Sequence, residues 1–243
     1  MNHARPSLRA LLFDKDGTLL DYDRTWVPIN REVARHAASG DEALANELLA
    51  LGGHDPVTDR VAAGSTFAGG SLDGIVDMLA RHLGRRTPPG LFDSVARLFR
   101  DGGGQNSVLL AGAREALVAL RGRGFILGLA TNDTAAGLEA SLARHAILEL
   151  FAFTVGCDSG HGAKPEAGMV RAFAGAVDVA PRDIAVIGDS IHDLEMGARA
   201  GVGLKVAVLS GTSGRDDLGA HADLVLASVA DMPGHQAFEQ PGK

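Results

Sequence analysis

Phe13-Asp14-Lys15-Asp16-Gly17-Thr18-Leu19 stands at the end of the first apolar run of the chain, Leu8 to Phe13, which only Arg9 interrupts. Such a run reads as a buried strand, ended by a carboxylate and then by a glycine. Strand side chains repeat with period two, so Asp14 and Asp16 start on one side of the backbone and Lys15 points away from both. Two neighbouring carboxylates need a cation or a shared proton to relieve their repulsion. A divalent metal supplies that relief, and hard oxygen donors favour magnesium over zinc. Gly17 allows a turn with exposed amides and Thr18 adds a hydroxyl, so the same loop suits a phosphate oxygen. A strand ending in an ordinary polar turn explains any one of these residues but not the set.

The chain has 243 residues, enough for one large domain or for a core with a smaller companion. An apolar fraction of 46% says that it folds. A net charge of -7 and a pI near 5.7 argue against a nucleic-acid or membrane-surface partner and suit a soluble metabolic protein. A lone cysteine, Cys157, excludes an internal disulfide and a cysteine-based zinc site, and core packing is its expected role. Met1 to Pro6 does not read as a signal peptide, and no uncharged apolar run reaches membrane-spanning length, so a cytoplasmic location is expected. Nothing in the sequence fixes an oligomeric state.

From Leu20 to about Asn106 helical periodicity takes over. The pattern predicts helices over Val27 to Ala38, Asp41 to Leu51, Leu72 to Leu83 and Leu91 to Phe99. Asp41 is the expected N-cap of the second, Gly52-Gly53 its stop, and Gly102-Gly103-Gly104 a flexible joint. After Asn106 helices and strands alternate. Helices are predicted over Ala113 to Gly122, Ala135 to His145, Glu166 to Val177 and Ile191 to Ala200. Strands are predicted over Phe125 to Ala130, Phe151 to Val155, Ile184 to Ile187, Lys205 to Leu209 and Leu224 to Leu226. Alternation of this kind gives an α/β fold, a Rossmann-like parallel sheet core with helices on both faces, into which the helical segment is inserted. The expected division is a core of residues 1–19 and 107–243 with a helical domain over 20–106.

Ligands of parallel sheets sit beyond the carboxyl ends of the strands. Four predicted strand ends finish in polar residues: Asp14 and Asp16; Thr131-Asn132-Asp133; Asp158 in a loop that continues to Lys164-Pro165; and Asp189-Ser190 with Asp193 following. Asp189 and Asp193 are four apart at a helix start, which puts both on one face, where capping the helix is the alternative role.

The order of these parts resembles the haloacid dehalogenase superfamily, in its phosphatase branch. The motifs are FDKDGTL at Phe13 to Leu19, Thr131-Asn132, Lys164 in AKPE, GDSIHD at Gly188 to Asp193 with its continuation to Gly201, and the later HADLVLASV segment. These look most like phosphoglycolate phosphatases. The resemblance implies a Mg2+-dependent phosphatase acting on a small phosphorylated metabolite. It makes Asp14 the nucleophile that becomes an aspartyl phosphate, and Asp16 the general acid and then base. Thr131 and Asn132 would bind the phosphoryl oxygens, and Lys164 would offset charge on phosphate and Asp14. Magnesium would be held by the Asp14 side chain, the Asp16 backbone carbonyl and, directly, Asp189, with Asp193 a ligand through water or an orienting group. The helical segment would be a cap that closes over the site.

Two departures stand out. Glu166-Ala167-Gly168 follows Lys-Pro where a second proline is usual, and Lys15 replaces an apolar residue. Tyr22 and Trp26 are expected to pack the domain joint, and Arg24, Arg60, Ser65 and Thr66 are candidate substrate contacts. His161 and His192 flank two motifs but the chemistry needs neither. A phosphomutase that returns the phosphoryl group to a sugar, and a non-catalytic phosphate sensor, are the alternatives on the same fold. No Walker loop, complete dinucleotide fingerprint, nucleophile elbow or His-Glu-x-x-His pair is present.

Overall fold

The apolar runs form strands because both of their faces are covered. A computed structural model describes residues 8–239; the Met1 to Pro6 segment considered for targeting lies outside the described residues. In β1 (Ala10–Phe13), Leu11 and Phe13 join one apolar cluster while Ala10 and Leu12 join another on the opposite side. The same alternation runs through β2 (Ile126–Ala130) and β4 (Ile184–Gly188). A strand buried on both faces loses the polar alternation of a half-exposed one. With β3 (Phe153–Val155), β5 (Leu204–Val208) and β6 (Leu224–Leu226) they form a six-stranded sheet of order β3-β2-β1-β4-β5-β6, with every pairing parallel. The chain moves outward from β1 through β2 to β3 and returns to β4 on the other side, so the topological switch point lies at β1.

Helices α1 (Tyr22–Ala37), α2 (Glu42–Leu51), the short α3 (Thr66–Gly69), α4 (Leu72–Leu83) and α5 (Leu91–Asn106) lie between β1 and the rest of the sheet in sequence. Ile29, Val33, Leu48, Leu79 and Val95 close an apolar cluster of their own, separate from those that flank the sheet. The Asp41 side chain caps α2, as expected, by accepting from the amides of Ala43 and Leu44. The two connections between this segment and the sheet run side by side, with Leu110 N donating to Leu19 O at 2.9 Å and Asp21 N to Val108 O at 2.8 Å. Helices α6 (Ala113–Gly122) and α7 (Ala135–Leu142) cover one sheet face; α8 (Gly168–Val177) and α9 (Ile191–Ala200) supply apolar side chains to the other. A last turn, α10 (Arg215–Leu218), follows β5. Among the described residues no helix is long and apolar enough to cross a membrane.

The glycine run is not a joint. Gly102, Gly103 and Gly104 lie inside α5, which continues to Asn106. A Cβ at Gly102 would stand 2.7 Å from Ile29 of α1, and one at Gly103 would stand 3.2 Å from Trp26. Missing side chains therefore let α5 lie directly against α1, and that packing outweighs the roughly 1 kcal/mol per glycine by which an isolated helix would be weakened. Helix α1 also starts five residues earlier than periodicity predicts, so Tyr22 and Trp26 are helical and buried.

The sheet has comparably tight points. A Cβ at Gly128 in β2 would meet the Phe173 ring of α8 at 2.6 Å. Gly128→Val is expected to lower stability by about 1 to 3 kcal/mol through overpacking, read as a lower urea midpoint with an unchanged slope.

Candidate active site

Parallel register brings three strand ends to one edge. Phe13 pairs with Leu129 on one side and Ile187 on the other, so Thr131 and Asp189 each follow their paired residue by two positions at the edge where Asp14 follows Phe13. Asp14 N still bonds Ile187 O, at 2.8 Å, which extends the ladder by one residue and fixes where its side chain begins.

Asp14, Asp189 and Asp193 are all buried, and each brings one carboxylate oxygen to within 4.8 Å of the others. Lys164 Nζ donates to Asp14 Oδ1 and, at 2.6 Å, to Asp193 Oδ1. Lys164 is itself placed by Asn132. Asn132 Oδ1 accepts from Lys164 N at 2.7 Å, and its Nδ2 donates to the carbonyls of Lys164 and of Gly69 in the helical segment, both at 3.3 Å. Asp193 has two functions at once. Its Oδ2 accepts from the Ser190 amide and hydroxyl at 3.1 and 2.7 Å in a capping box that starts α9, while Oδ1 faces Lys164.

Asp189 accepts from the Thr18 hydroxyl at 3.3 Å and from Thr212 N at 3.2 Å. Thr18 therefore orients a carboxylate, where the sequence suggested a phosphate donor, and it is fully buried. Gly17, at φ +79°, has no room for a Cβ, which would stand 2.5 Å from Asp189 Oδ2; Gly211 is equally close-packed against the same carboxylate. The Gly17 amide donates to Leu20 O, at 2.8 Å, so it closes the turn instead of facing a ligand.

Three buried carboxylates against one lysine leave an excess of negative charge. Burial is the main force raising the Asp14 pKa to about 7; the Lys164 ammonium opposes it, while Asp193 and Asp16 add to it. Asp189 is also raised, by burial first and then by the Asp14 and Asp193 charges. For Lys164 burial alone would lower the pKa, but Asp14 and Asp193 together hold it above its ordinary value. An all-oxygen, acidic, buried donor set of this kind is suited to a hard divalent cation.

Asp16 is not part of that cluster. Its carboxylate accepts from Trp26 Nε1 at 2.6 Å and pairs with Lys15 Nζ at 2.9 Å. Lys15 was expected to point away from both aspartates, and for Asp16 this is wrong. The strand ends at Phe13, and the amides of Leu19 and Leu20 both bond Lys15 O, so the chain is already turning and period two no longer applies. Lys15 is fully buried, bridges Asp16 to Asp133 at 3.1 Å, and lies 4.8 Å from the centre of the Trp26 ring system. Burial alone would lower its pKa, yet the carboxylates of Asp16 and Asp133 raise it, so it stays charged. Lys15, Trp26 and Thr212 thus join the neighbourhood without a local sequence signal, whereas Asp133 stands at a predicted strand end. Only the helical phase of Trp26, had α1 been started at Tyr22, would have aimed it at Asp16.

Asp14, Asp16, Thr131, Asn132, Lys164 and Asp189 line a cavity of about 490 Å³, together with Asp193 and residues of α1, α3, α4 and α5. Thr131 is buried, and its Oγ1 accepts from Asp133 N at 3.1 Å. Cys157 also lines this cavity, half-buried, and burial pushes its thiol up to about 11, so it is not a reactive thiolate. Arg24, Arg60 and His161 line neither this cavity nor its neighbour. Ser65 and Thr66 line the second, more open cavity, and Ser65 caps α3; His192 lines both.

The chain is similar to known proteins. A phosphoglycolate phosphatase from Photobacterium profundum is 29% identical over 194 residues, 77% of each chain. One from Yersinia pseudotuberculosis is 26% identical over 230 residues, 93% of this chain and 92% of the relative. The crystal structure of a predicted phosphoglycolate phosphatase from Haemophilus somnus 129pt superposes with a TM-score of 0.69 at 22% identity, covering 94% of this chain and 97% of the other. The sequence model of the haloacid dehalogenase-like hydrolases matches residues 8–201, most of the chain and the segments that carry Asp14, Thr131, Lys164, Asp189 and Asp193, and the chain therefore belongs to the haloacid dehalogenase-like hydrolase family.

Proposed function

We propose that this hydrolase is a magnesium-dependent phosphatase that cleaves a small phosphomonoester through a phosphorylated Asp14. The observation that carries the reading is the meeting of Asp14, Asp189 and Asp193 with Lys164 at the sheet edge. The phosphatases among its relatives support the reaction class.

In the first step an Asp14 oxygen attacks phosphorus, the ester P–O bond breaks, and Asp16 gives its proton to the departing alcohol. In the second, Asp16 takes a proton from water, the water oxygen attacks phosphorus, and the Asp14–phosphorus bond breaks to release phosphate and the free carboxylate. Lys164 orients Asp14 and offsets charge on the phosphoryl oxygens, and Thr131 donates its hydroxyl to one of them. Asn132 acts mainly through Lys164, whose backbone it clamps. Lys15 and Trp26 hold Asp16. Asp14, the Asp16 carbonyl and Asp189 would hold Mg2+, with Asp193 behind them; when bound, the ion neutralises carboxylate and phosphoryl charge. Residues 20–106 form a cap domain over this site in the same reading, and the cavity shared between α1, α3, α4, α5 and the sheet edge supports it.

A phosphate-release screen over small phosphorylated metabolites, with and without chelator, tests the reaction; no release from any compound, with magnesium present, overturns it. Stability gives an independent measure. An Asp14 carboxyl that titrates near 3.8 unfolded and at about 7 folded binds more protons in the folded state between those values. Chelated protein is therefore expected to lose stability as pH rises from about 4 to about 7. Magnesium at 100 times its Kd is then expected to add about 2.7 kcal/mol at pH 7, and Asp189→Asn to reduce most of that gain. An equal thermal shift in wild type and variant would remove Asp189 from the metal site.

A further inference from the structure

The geometry points to a substrate whose leaving group is uncharged, largely apolar and about the size of an aromatic ring, and so unlike glycolate or an unsubstituted sugar. The inference rests on the phosphatase reading for the position of the phosphoryl group and goes beyond it for everything attached.

The cavity has two unlike halves. Asp14, Thr131, Lys164 and Asp189 belong to the sheet edge, whereas the half formed by the helical segment presents Trp26, Phe67, Leu72, Ile75, Phe92 and Phe99. At about 490 Å³ the whole falls in the range of pockets that hold drug-sized ligands, well beyond the need of a two-carbon acid. Trp26 joins the halves. Its Nε1 touches Asp16, the proposed proton donor to the leaving group, and its ring packs on Phe99 with centroids 5.9 Å apart and planes inclined by 52°. An alcohol oxygen beside Asp16 thus carries its substituent onto the Trp26 and Phe99 rings. Farther out the same wall reaches Phe92, which is 44% exposed although large and apolar. Aromatic surfaces left facing a cavity gain from burial against an apolar ring.

Charge argues the same way. A carboxylate on the leaving group needs a cation, yet the buried Lys164 is committed to Asp14 and Asp193, and Arg100 on the same lining is half-exposed with its Nε bonded to Asp101 at 3.1 Å. Asp73, Asp133 and Asp158 add negative charge to the lining. A second anionic group on the substrate would be repelled, and sugar hydroxyls would lose hydration against the aromatic wall. One polar exception is Asn30, 1% exposed on this lining beside Tyr22, whose hydroxyl donates to Phe67 O at 2.6 Å. Neither amide atom of Asn30 has a hydrogen-bond partner at good geometry among the described residues, so the wall accommodates one neutral polar group on the ring.

The test compares ethyl phosphate, 2-phenylethyl phosphate and phosphoglycolate with magnesium present. The first two release primary alcohols of similar acidity, so their difference reports the ring. Expected is a kcat/KM for 2-phenylethyl phosphate at least tenfold above that of ethyl phosphate, gained mainly in KM, with phosphoglycolate the poorest. Phe99→Ala is expected to shrink the ratio of the first two at least threefold. Trp26, the sole tryptophan of the chain, reports binding without turnover, and its emission should respond to 2-phenylethyl phosphate at a Kd at least tenfold below that for phosphoglycolate. Equal kcat/KM for all three, or a preference for phosphoglycolate, overturns this inference and leaves the phosphatase reading standing. Absence of a selective Trp26 response also overturns it, whether or not phosphate is released, whereas the phosphatase reading falls only if the wider screen releases no phosphate.

Discussion

Asp14→Asn is expected to lower phosphate release by about 10⁴-fold or more, the scale seen when a nucleophile is removed, with no loss of folded stability. An amide nitrogen or oxygen is too weak a nucleophile to open the ester bond, and Asp16 cannot substitute because Lys15 and Trp26 hold it outside the Asp14 cluster. Stability should persist because Asn fills the same space while removing one of three crowded buried carboxylates. Lys164 keeps Asp193 as its partner. The urea midpoint of chelated protein at pH 7 is thus expected to stay level or rise. Turnover within tenfold of wild type would remove Asp14 from the role of nucleophile, whatever the substrate.

Lys15→Met should act oppositely, on the fold as well as on the chemistry. Lys15 is fully buried between Asp16 and Asp133, whose side chains are 20% and 19% exposed. Methionine fits the aliphatic part of the space but leaves two largely buried carboxylates facing each other without the ammonium. Breaking a buried pair by deleting one partner costs about 3 to 5 kcal/mol, and the partial exposure of both carboxylates puts the expected loss near 3 kcal/mol. The ammonium's contact with the Trp26 ring is lost as well. Since Asp16 loses one of its two donors, kcat is expected to fall at least tenfold with a smaller change in KM, because the Lys164 and Thr131 side chains are untouched. Equilibrium unfolding in urea and steady-state kinetics measure the two effects separately. A midpoint equal to that of wild type would show that the bridge contributes nothing to stability.

Much of this architecture is legible in the sequence for a simple reason: strands covered on both faces carry unbroken apolar runs, and each run here ends where a carboxylate or hydroxyl begins. Leu8 to Phe13 and Ile184 to Ile187 could hardly be other than inner strands, and parallel strands separated by helices must deliver their ends to one edge. Asn132 and Lys164 were visible as polar residues after predicted strands and as motif members, but not as partners. Their mutual clamp, in which an amide side chain fixes the backbone of a lysine 32 residues away, joins two separate loops and has no local signature.

Composition, periodicity and motif order determined the class of fold, the sheet edge as the meeting place and the acidic character of what gathers there. Tertiary structure alone decided that Thr18 serves Asp189, that three consecutive glycines continue a helix, that Lys15 turns back onto Asp16, and that aromatic side chains of the helical segment line the same cavity as the Asp14 cluster. The reason is physical. Local rules govern a residue while its neighbours in sequence are its main contacts, as along β1, but a glycine pressed against Ile29 or a lysine enclosed by two carboxylates takes its conformation from partners that only the folded chain supplies.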